Sequence, residues 1–182
     1  MDTLRESYEW ARIPLDLPKE NLVLVKAKTT KTTIHPEDKE GYVVRNFDPK
    51  ELYEAARSLA QRPVGVNHIP ASMGGLIELP LEDQTITGSK YAFTVDANWN
   101  EQEQAIEALL YLPLSYIKKI KEGVISKVSV EYNWREEERG IEGITFKGLI
   151  FNRVDVLVAM KAGDSDSGHF KTLIEGVNRG LM

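Results

Sequence analysis

The 182-residue sequence contains no cysteine, and this absence excludes several kinds of protein. There is no disulfide framework of the kind that holds small secreted domains together, no thiolate nucleophile and no zinc site with cysteine ligands. The sequence also lacks any apolar run near the ~20 residues that a membrane-spanning helix needs, and residues 1–12 lack the apolar core of a signal peptide. We therefore expect an intracellular protein with no membrane partner.

Positive charge is also limited, with 23 Lys and Arg against 28 Asp and Glu and a net charge of −5. The basic residues are scattered among acidic ones, whereas a nucleic-acid-binding surface concentrates them on one face. Nucleic acid is therefore not expected as a partner. With 42% hydrophobic residues, the chain can bury one sizeable core.

Proline positions and hydrophobic patterning divide the chain into three segments. Residues 1–20 contain Pro14 and Pro18, have weak periodicity and are predicted to be a loosely ordered lead-in. One ordered domain is predicted over residues 21–165. Residues 166–182 are then a C-terminal tail, for which a short helix is one option.

Three helices are predicted from their terminal signals. Asp48 is an N-cap residue followed by Pro49 at the first helical position. Asn100 and Glu103 have the spacing of a capping box and predict a second helix, which Pro113 stops. A third helix follows that proline directly.

Short apolar segments between the helices predict β-strands, and this alternation of strands and helices permits an α+β fold. The predicted strands cover residues 22–34, with a bend, 76–79, 84–87, 90–95 and 144–160, the last as two strands or one bent strand. Residues 35–38 are predicted to form a turn. The charge-rich residues 135–139 are predicted to form a solvated hairpin loop.

One serine interrupts a valine-rich strand pattern in residues 123–132, which read GVISKVSVEY. Because side chains alternate across a strand, Lys127, Ser129 and Glu131 share the face opposite to the valines. This arrangement places the Ser129 hydroxyl on a polar face beside a potential cleft. The alternative interpretation is a serine that is exposed on an edge strand.

Two further residues could complete acyl-transfer chemistry with this serine. His68 ends the segment RPVGVNH, and an imidazole can take the proton of a serine hydroxyl. Its alternative role is that of a hydrogen-bonded structural histidine. Asp155 lies in the apolar run VDVLV, where a buried carboxylate needs a partner. That partner is either a histidine or a nearby base such as Arg153.

Four segments occur in an informative order: FDPKELYEAARSLAQRPVGVNH, a strand that follows Gly-Gly, IKEGVISKVSVEY and GITFKGLIFNRVDVLVAMKAGDSDS. Each motif is short and degenerate, so their order and intervals carry the likeness. Together they resemble the prohead (capsid maturation) proteases of tailed viruses, which are relatives of the herpesvirus assemblins. The likeness covers roughly residues 40–165.

This resemblance implies a mostly antiparallel β-barrel flanked by helices and a serine endopeptidase that needs no cofactor and no metal. It makes His68 the general base and Ser129 the nucleophile, and we expect them on neighbouring strands with side chains directed into one shallow cleft. The resemblance fixes the third residue of the catalytic triad less firmly. Assemblins use a second histidine at this position, whereas the phage enzymes often have an acidic residue there. We choose Asp155 and keep His169 as the reserve.

The resemblance also implies the partners and the location. Substrates would be capsid and scaffold proteins inside the immature procapsid of a bacteriophage, in the host cytoplasm, and the protease would cleave itself. Assemblin-like pairing through a helix would make it a homodimer. The alternative function is a catalytically inactive, protease-like scaffold or capsid-assembly interaction module. An unrelated β-rich binding module is the remaining option, favoured if Ser129 and His68 lie far apart.

Overall fold

A computed structural model of the chain describes residues 10–14, 16–28, 32–37, 41–125, 127–141 and 143–158. The predicted C-terminal tail and the reserve residue His169 lie outside these residues. Within the described part of the chain, no helix is long and apolar enough to cross a membrane.

The described residues form three α-helices and ten β-strands. The helices are α1 (Pro49–Ala56), α2 (Leu81–Thr87) and α3 (Leu114–Lys121). The strands are β1 (Leu22–Lys28), β2 (Thr32–Glu37), β3 (Gly41–Asn46), β4 (Val64–Val66), β5 (Phe93–Asn100), β6 (Ala105–Tyr111), β7 (Lys127–Asn133), β8 (Glu136–Gly140), β9 (Gly143–Lys147) and β10 (Ile150–Leu157). Short 3-10 helices cover Lys19–Asn21, Arg57–Leu59 and Ala71–Met73.

The strands pair into three sheets that are mostly antiparallel. In the first sheet β6 lies between β1 and β5, and both pairs are antiparallel. In the second sheet β10 lies between β4 and β7, parallel to β4 and antiparallel to β7. The third has the order β2-β3-β9-β8, in which only the β3–β9 pair is parallel. The chain is therefore α+β, as predicted, and these described strands form no closed barrel.

The first predicted helix forms as its terminal signals indicate. Asp48 is the N-cap of α1, and its Oδ1 accepts a hydrogen bond from the Lys50 amide at 3.0 Å. Pro49 occupies the first helical position, where its missing N–H leaves no intrahelical bond unmade. Leu52, Ala55 and Ala56 are buried at helical spacing, so α1 packs one apolar face against the core.

The second predicted helix is wrong, because its residues form strand β6. Asn100 Oδ1 accepts from the Glu103 amide at 3.0 Å, as a capping residue would, but this bond belongs to the turn between β5 and β6. Gln104 completes that turn in the left-handed region, with φ 52°. Every residue of β6 is buried, so the strand shows none of the alternation that would distinguish it from a buried helix.

Three shorter predictions also need correction. Residues 84–87 belong to α2, which ends at Gly88 in the left-handed conformation typical of helix ends, with φ 71°. Residues 35–37 continue β2 instead of turning. Most of segment 135–139 is β8, an exposed edge strand paired with β9. Its charged side chains hide the strand from pattern reading, and they also discourage pairing with another chain at this edge.

The core extends into the segment that was predicted to be a loose lead-in. Leu17 is buried in the main hydrophobic cluster, and Trp10 and Ile13 pack against it. Packing therefore begins before residue 21, because this segment supplies large apolar side chains despite its weak periodicity.

Candidate active site

Strands β7 and β10 form the floor of the candidate site. In their antiparallel register Ser129 lies opposite Asp155, and Glu131 lies opposite Arg153. Residues directly opposite one another share a face of the sheet, as do residues two apart along one strand. The four side chains therefore form one polar block, while the valines between them lie on the other face, in the core.

His68 reaches this block from the other side of β10. It follows β4, which pairs with β10, so β10 separates the His68 segment from the strand of Ser129. The prediction that the two lie on neighbouring strands is therefore wrong. A turn nevertheless brings His68 back toward Ser129, because Asn67 and His68 both adopt the left-handed conformation, with φ 51° and 58°. The His68 amide then donates to Asp155 Oδ1 at 3.0 Å.

The His68 ring contacts a hydroxyl on one side and a carboxylate on the other. Its Nε2 lies 2.9 Å from Ser129 Oγ, and its Nδ1 lies 2.8 Å from Glu131 Oε1. Because a carboxylate only accepts hydrogen bonds, Nδ1 carries the proton when the imidazole is neutral, and Nε2 then accepts from the serine. This tautomer is the one that a general base for Ser129 needs.

Asp155 has both of the partners between which the sequence left a choice. Its Oδ1 lies 2.6 Å from Arg153 Nη2, and Arg153 Nε lies 3.1 and 3.0 Å from the two carboxylate oxygens. Asp155 Oδ2 also lies 3.4 Å from His68 Nδ1. Asp155 is completely buried, so its charge depends on these contacts.

The carboxylate closest to the imidazole is that of Glu131, a residue that sequence reasoning did not assign to the site. The structure brings His68, Ser129 and Asp155 together, but Glu131 is 0.6 Å closer to Nδ1 than Asp155 is (3.4 − 2.8). The available signal was strand alternation, which places Glu131 on the same face as Ser129.

This chain thus positions a hydroxyl, an imidazole and a carboxylate in one hydrogen-bonded series, the arrangement that activates a serine for acyl transfer. Comparisons with protein-family models, curated proteins and solved structures find no match.

Two carboxylates set the protonation of His68. Burial lowers the pKa of its imidazole, but hydrogen bonds with Asp155 and Glu131 and their negative charges outweigh burial, and the pKa lies above its ordinary value of 6.5. Burial alone would raise the pKa of Asp155, yet His68 and Arg153 hold it below its usual range. The cluster therefore stabilises a positive charge on the imidazole and a negative charge on the aspartate.

A metal ion is a weaker interpretation of the same cluster. His68, Glu131 and Asp155 offer ligand atoms within 4.8 Å of one another. However, the guanidinium of Arg153 already contacts both oxygens of Asp155 and lies 3.9 Å from Glu131 Oε1. A cation that satisfies these carboxylates is thus part of the chain itself, and the donor set suits proton transfer better than metal binding.

The Arg153 guanidinium fills the space beside Gly65 that a side chain would need. Gly65 lies opposite Asp155 in the β4–β10 pair, and a Cβ atom there would overlap the guanidinium of Arg153. Glycine is therefore required at this position if the guanidinium is to reach Asp155.

Solvent has little access to the reacting atoms. Ser129 is 0% exposed, and the side chain of His68 is 7% exposed. The predicted shallow cleft is therefore not open at the serine in this structure. A ligand would reach Ser129 Oγ only after neighbouring groups move.

Proposed function

We propose that this protein is a serine endopeptidase with Ser129 as nucleophile and His68 as general base. The observation that carries the proposal is the continuous series from Ser129 Oγ through the imidazole to Glu131, with contacts of 2.9 and 2.8 Å. Glu131 fixes the tautomer, and Asp155 contacts the same ring nitrogen at 3.4 Å while holding the His68 backbone. The proposed site therefore contains the predicted residues His68, Ser129 and Asp155 and, in addition, a second carboxylate from Glu131.

The geometry supports ordinary serine-protease chemistry. Ser129 Oγ attacks the scissile peptide carbonyl and gives its proton to His68 Nε2, and the imidazolium then protonates the leaving amine. Water repeats the sequence on the acyl-enzyme with His68 again as base, which releases the acid product and restores the serine. None of these steps needs a cofactor.

The charges around His68 favour the state that forms during the reaction. Glu131 and Asp155 contribute two negative charges and Arg153 one positive charge, so the group carries a net charge of −1 while the imidazole is neutral. Proton transfer from Ser129 makes the imidazole positive and neutralises the group. A site arranged before the reaction for a charge that appears during it lowers the barrier.

The likeness of the sequence to prohead proteases supports the substrate class. On this basis we infer that capsid and scaffold proteins, and the chain itself, are cut inside an immature procapsid. An assemblin-like barrel built from the three sheets and a homodimer are parts of the same proposal. The mostly antiparallel α+β architecture is compatible with such a barrel.

A second candidate function is favoured by the burial of the serine. A hydroxyl with no exposed surface also suits a protease-like assembly module that has kept the site only as a structural hydrogen-bond network. Such a module would keep the contacts among His68, Ser129 and Glu131 but would not react with substrates.

Covalent labelling separates the two candidates. The full chain is treated with a fluorophosphonate, which forms an ester with an activated serine, and the modified residue is located by mass spectrometry. We expect an adduct on Ser129 that is lost in Ser129→Ala and His68→Ala. Ser89→Ala is the matched control, since among the described residues its hydroxyl bonds only Tyr91, in its own turn. A folded wild-type chain that remains unlabelled, and does not cut capsid or scaffold protein, would establish the inactive module instead.

A further inference from the structure

The turn that carries His68 contains two consecutive non-glycine residues in the left-handed region. Asn67 has φ 51° and His68 has φ 58°. Side chains crowd the backbone in this region, so such residues are uncommon and persist where surrounding contacts over-determine them. Asparagine and histidine both tolerate the conformation better than most residues, but two such residues in succession still need contacts that hold them.

Asn67 makes three hydrogen bonds to the end of β10. Its backbone amide donates to the Val156 carbonyl at 3.1 Å. Its side-chain Nδ2 donates to the Val158 carbonyl at 2.9 Å, and its Oδ1 accepts from the Val158 amide at 2.8 Å. The side-chain amide thus pairs with Val158 as a backbone amide of a neighbouring strand would. We call this two-way pairing the Asn67 clasp.

The clasp fixes the position from which the next residue starts. It ties the turn to β10, the strand that also supplies Asp155, and Asp155 accepts from the His68 amide. From this point the His68 ring lies within hydrogen-bond distance of Ser129 on one side and Glu131 on the other. A small rotation of the turn would lengthen at least one of these contacts, because both partners belong to β7 and do not move with the turn.

We propose that Asn67 is a positioning residue, whose clasp on Val158 holds the left-handed turn so that His68 stays in line with both Ser129 and Glu131. Its effect on catalysis rests on the proposed function, whereas its effect on the ring position does not. Among the described residues, the hydrogen bonds of Asn67 are with Val156 and Val158 and not with Ser129 or Glu131, so it would act through His68.

Three substitutions separate the parts of this role. Asn67→Gly keeps easy access to the left-handed region but removes the clasp. Asn67→Asp keeps an acceptor for the Val158 amide but places a carboxylate oxygen against the Val158 carbonyl. Asn67→Ala removes the clasp and strains the turn as well. Rates of Ser129 modification should fall in the order wild type, then Asp or Gly, then Ala.

Gln61→Gly is a matched control, because Gln61 is also a left-handed residue, with φ 59°, whose side chain bonds a backbone carbonyl. That carbonyl belongs to Val95 in β5, outside the sheet of the site. We expect Asn67→Gly to slow fluorophosphonate labelling of Ser129 by about tenfold or more, since small misplacements of a catalytic group have effects of this size. Gln61→Gly should lower the thermal midpoint comparably and leave labelling within about twofold.

The test includes a measurement that does not depend on reactivity. In the wild-type chain the Nδ1 proton of His68, shared with Glu131, should give a protected NMR signal, and the ring should titrate above its ordinary pKa. Asn67→Gly should weaken that signal and move the titration toward 6.5, and Gln61→Gly should not. If wild-type Ser129 never labels, the proposed function fails, and this NMR comparison alone decides the role of the clasp.

The result that overturns the proposal is specific. A folded Asn67→Gly variant with the wild-type labelling rate and the wild-type His68 titration would show that the turn keeps its conformation without the Asn67 clasp. Equal effects of Asn67→Gly and Gln61→Gly on both measurements would also overturn it, since the loss would then follow from general stability. Should Asn67→Ala fail to fold, the Gly and Asp variants decide.

Discussion

The two faces of the β7–β10 pair differ, because one face packs into the core and the other carries the candidate site. One face carries four valines that are at most 1% exposed and belong to the core: Val128, Val130, Val154 and Val156. The other face carries Ser129 and Asp155, which are equally buried, with Glu131 and Arg153 beside them. Burial of an apolar side chain stabilises the fold by itself, whereas a buried charge is tolerated only with a partner. Stability and chemistry should therefore respond to different substitutions on adjacent residues.

The largest expected effect comes from neighbouring residues on opposite faces. Ser129→Ala should abolish labelling and peptide cleavage, because no other hydroxyl occupies its position, and should change stability little. Val130→Ala should keep the labelling rate within a few-fold and lower the free energy of unfolding by about 2 kcal/mol, from lost burial and a residual cavity. Urea unfolding and labelling kinetics on both variants measure this contrast. Equal loss of labelling in the two variants would mean that the faces are not separate.

The next effect distinguishes the two carboxylates. Asp155→Asn should lower the free energy of unfolding by about 3–5 kcal/mol, because it removes the charge that pairs with the buried Arg153. Glu131→Gln should slow the reaction by about 10³-fold through loss of tautomer control, with a smaller cost in stability since Glu131 is partly exposed. Reaction rates and urea unfolding of both variants provide the measurement.

The opposite result would restore the original assignment of the third member. If Asp155→Asn has the larger effect on rate and only a modest effect on stability, Asp155 is the orienting acid and Glu131 an auxiliary one. His169→Ala serves as a further comparison and should react as the wild type does. Its inactivation would instead indicate the His-Ser-His arrangement of the assemblins.

The smallest expected effect is a pH dependence with opposite signs for rate and stability. The rate should rise with pH through the raised pKa of His68, with a midpoint above 6.5, because Ser129 needs a neutral imidazole. Since the folded state raises this pKa, the stabilisation is complete below 6.5 and is lost as the pH rises through the folded-state value. Labelling rates and urea unfolding across neutral pH test both trends. A rate midpoint at or below 6.5 would contradict them.

Acidic conditions extend this test to the aspartate. The folded state lowers the pKa of Asp155, so its contribution is present at neutral pH and is lost as the pH falls through the folded-state value. Asp155→Asn should remove the part of the acid destabilisation that comes from this group.

Local alternation explains how much of the site could be predicted from the sequence. The alternating pattern of β7 placed Ser129 opposite to the valines, and the apolar surroundings of Asp155 required a partner, as the structure has it. The register that sets Ser129 against Asp155 and Glu131 against Arg153 joins residues more than 20 positions apart, and no local pattern encodes it. The left-handed turn at His68 was equally hidden, since neither residue is glycine.

The fold shows the same division between local and distant causes. Helix α1 was predicted because its cap and its apolar face are local features. Strand β6 was missed because the Asn100 side chain forms the same bond to the Glu103 amide in a turn as it would at a helix start. The segment after that turn forms a strand because it pairs with β1 on one side and β5 on the other, and this pairing depends on distant residues.

Gly65 imposes an order on the evolution of this site. While Arg153 occupies its place against Asp155, any side chain at position 65 would collide with a guanidinium that these bonds hold in position. Arg153 must therefore change first, and that change exposes the lineage to an uncompensated buried aspartate unless residue 155 becomes neutral in the same step. Homologous chains that keep arginine at 153 and aspartate at 155 should accordingly keep glycine at 65 as well.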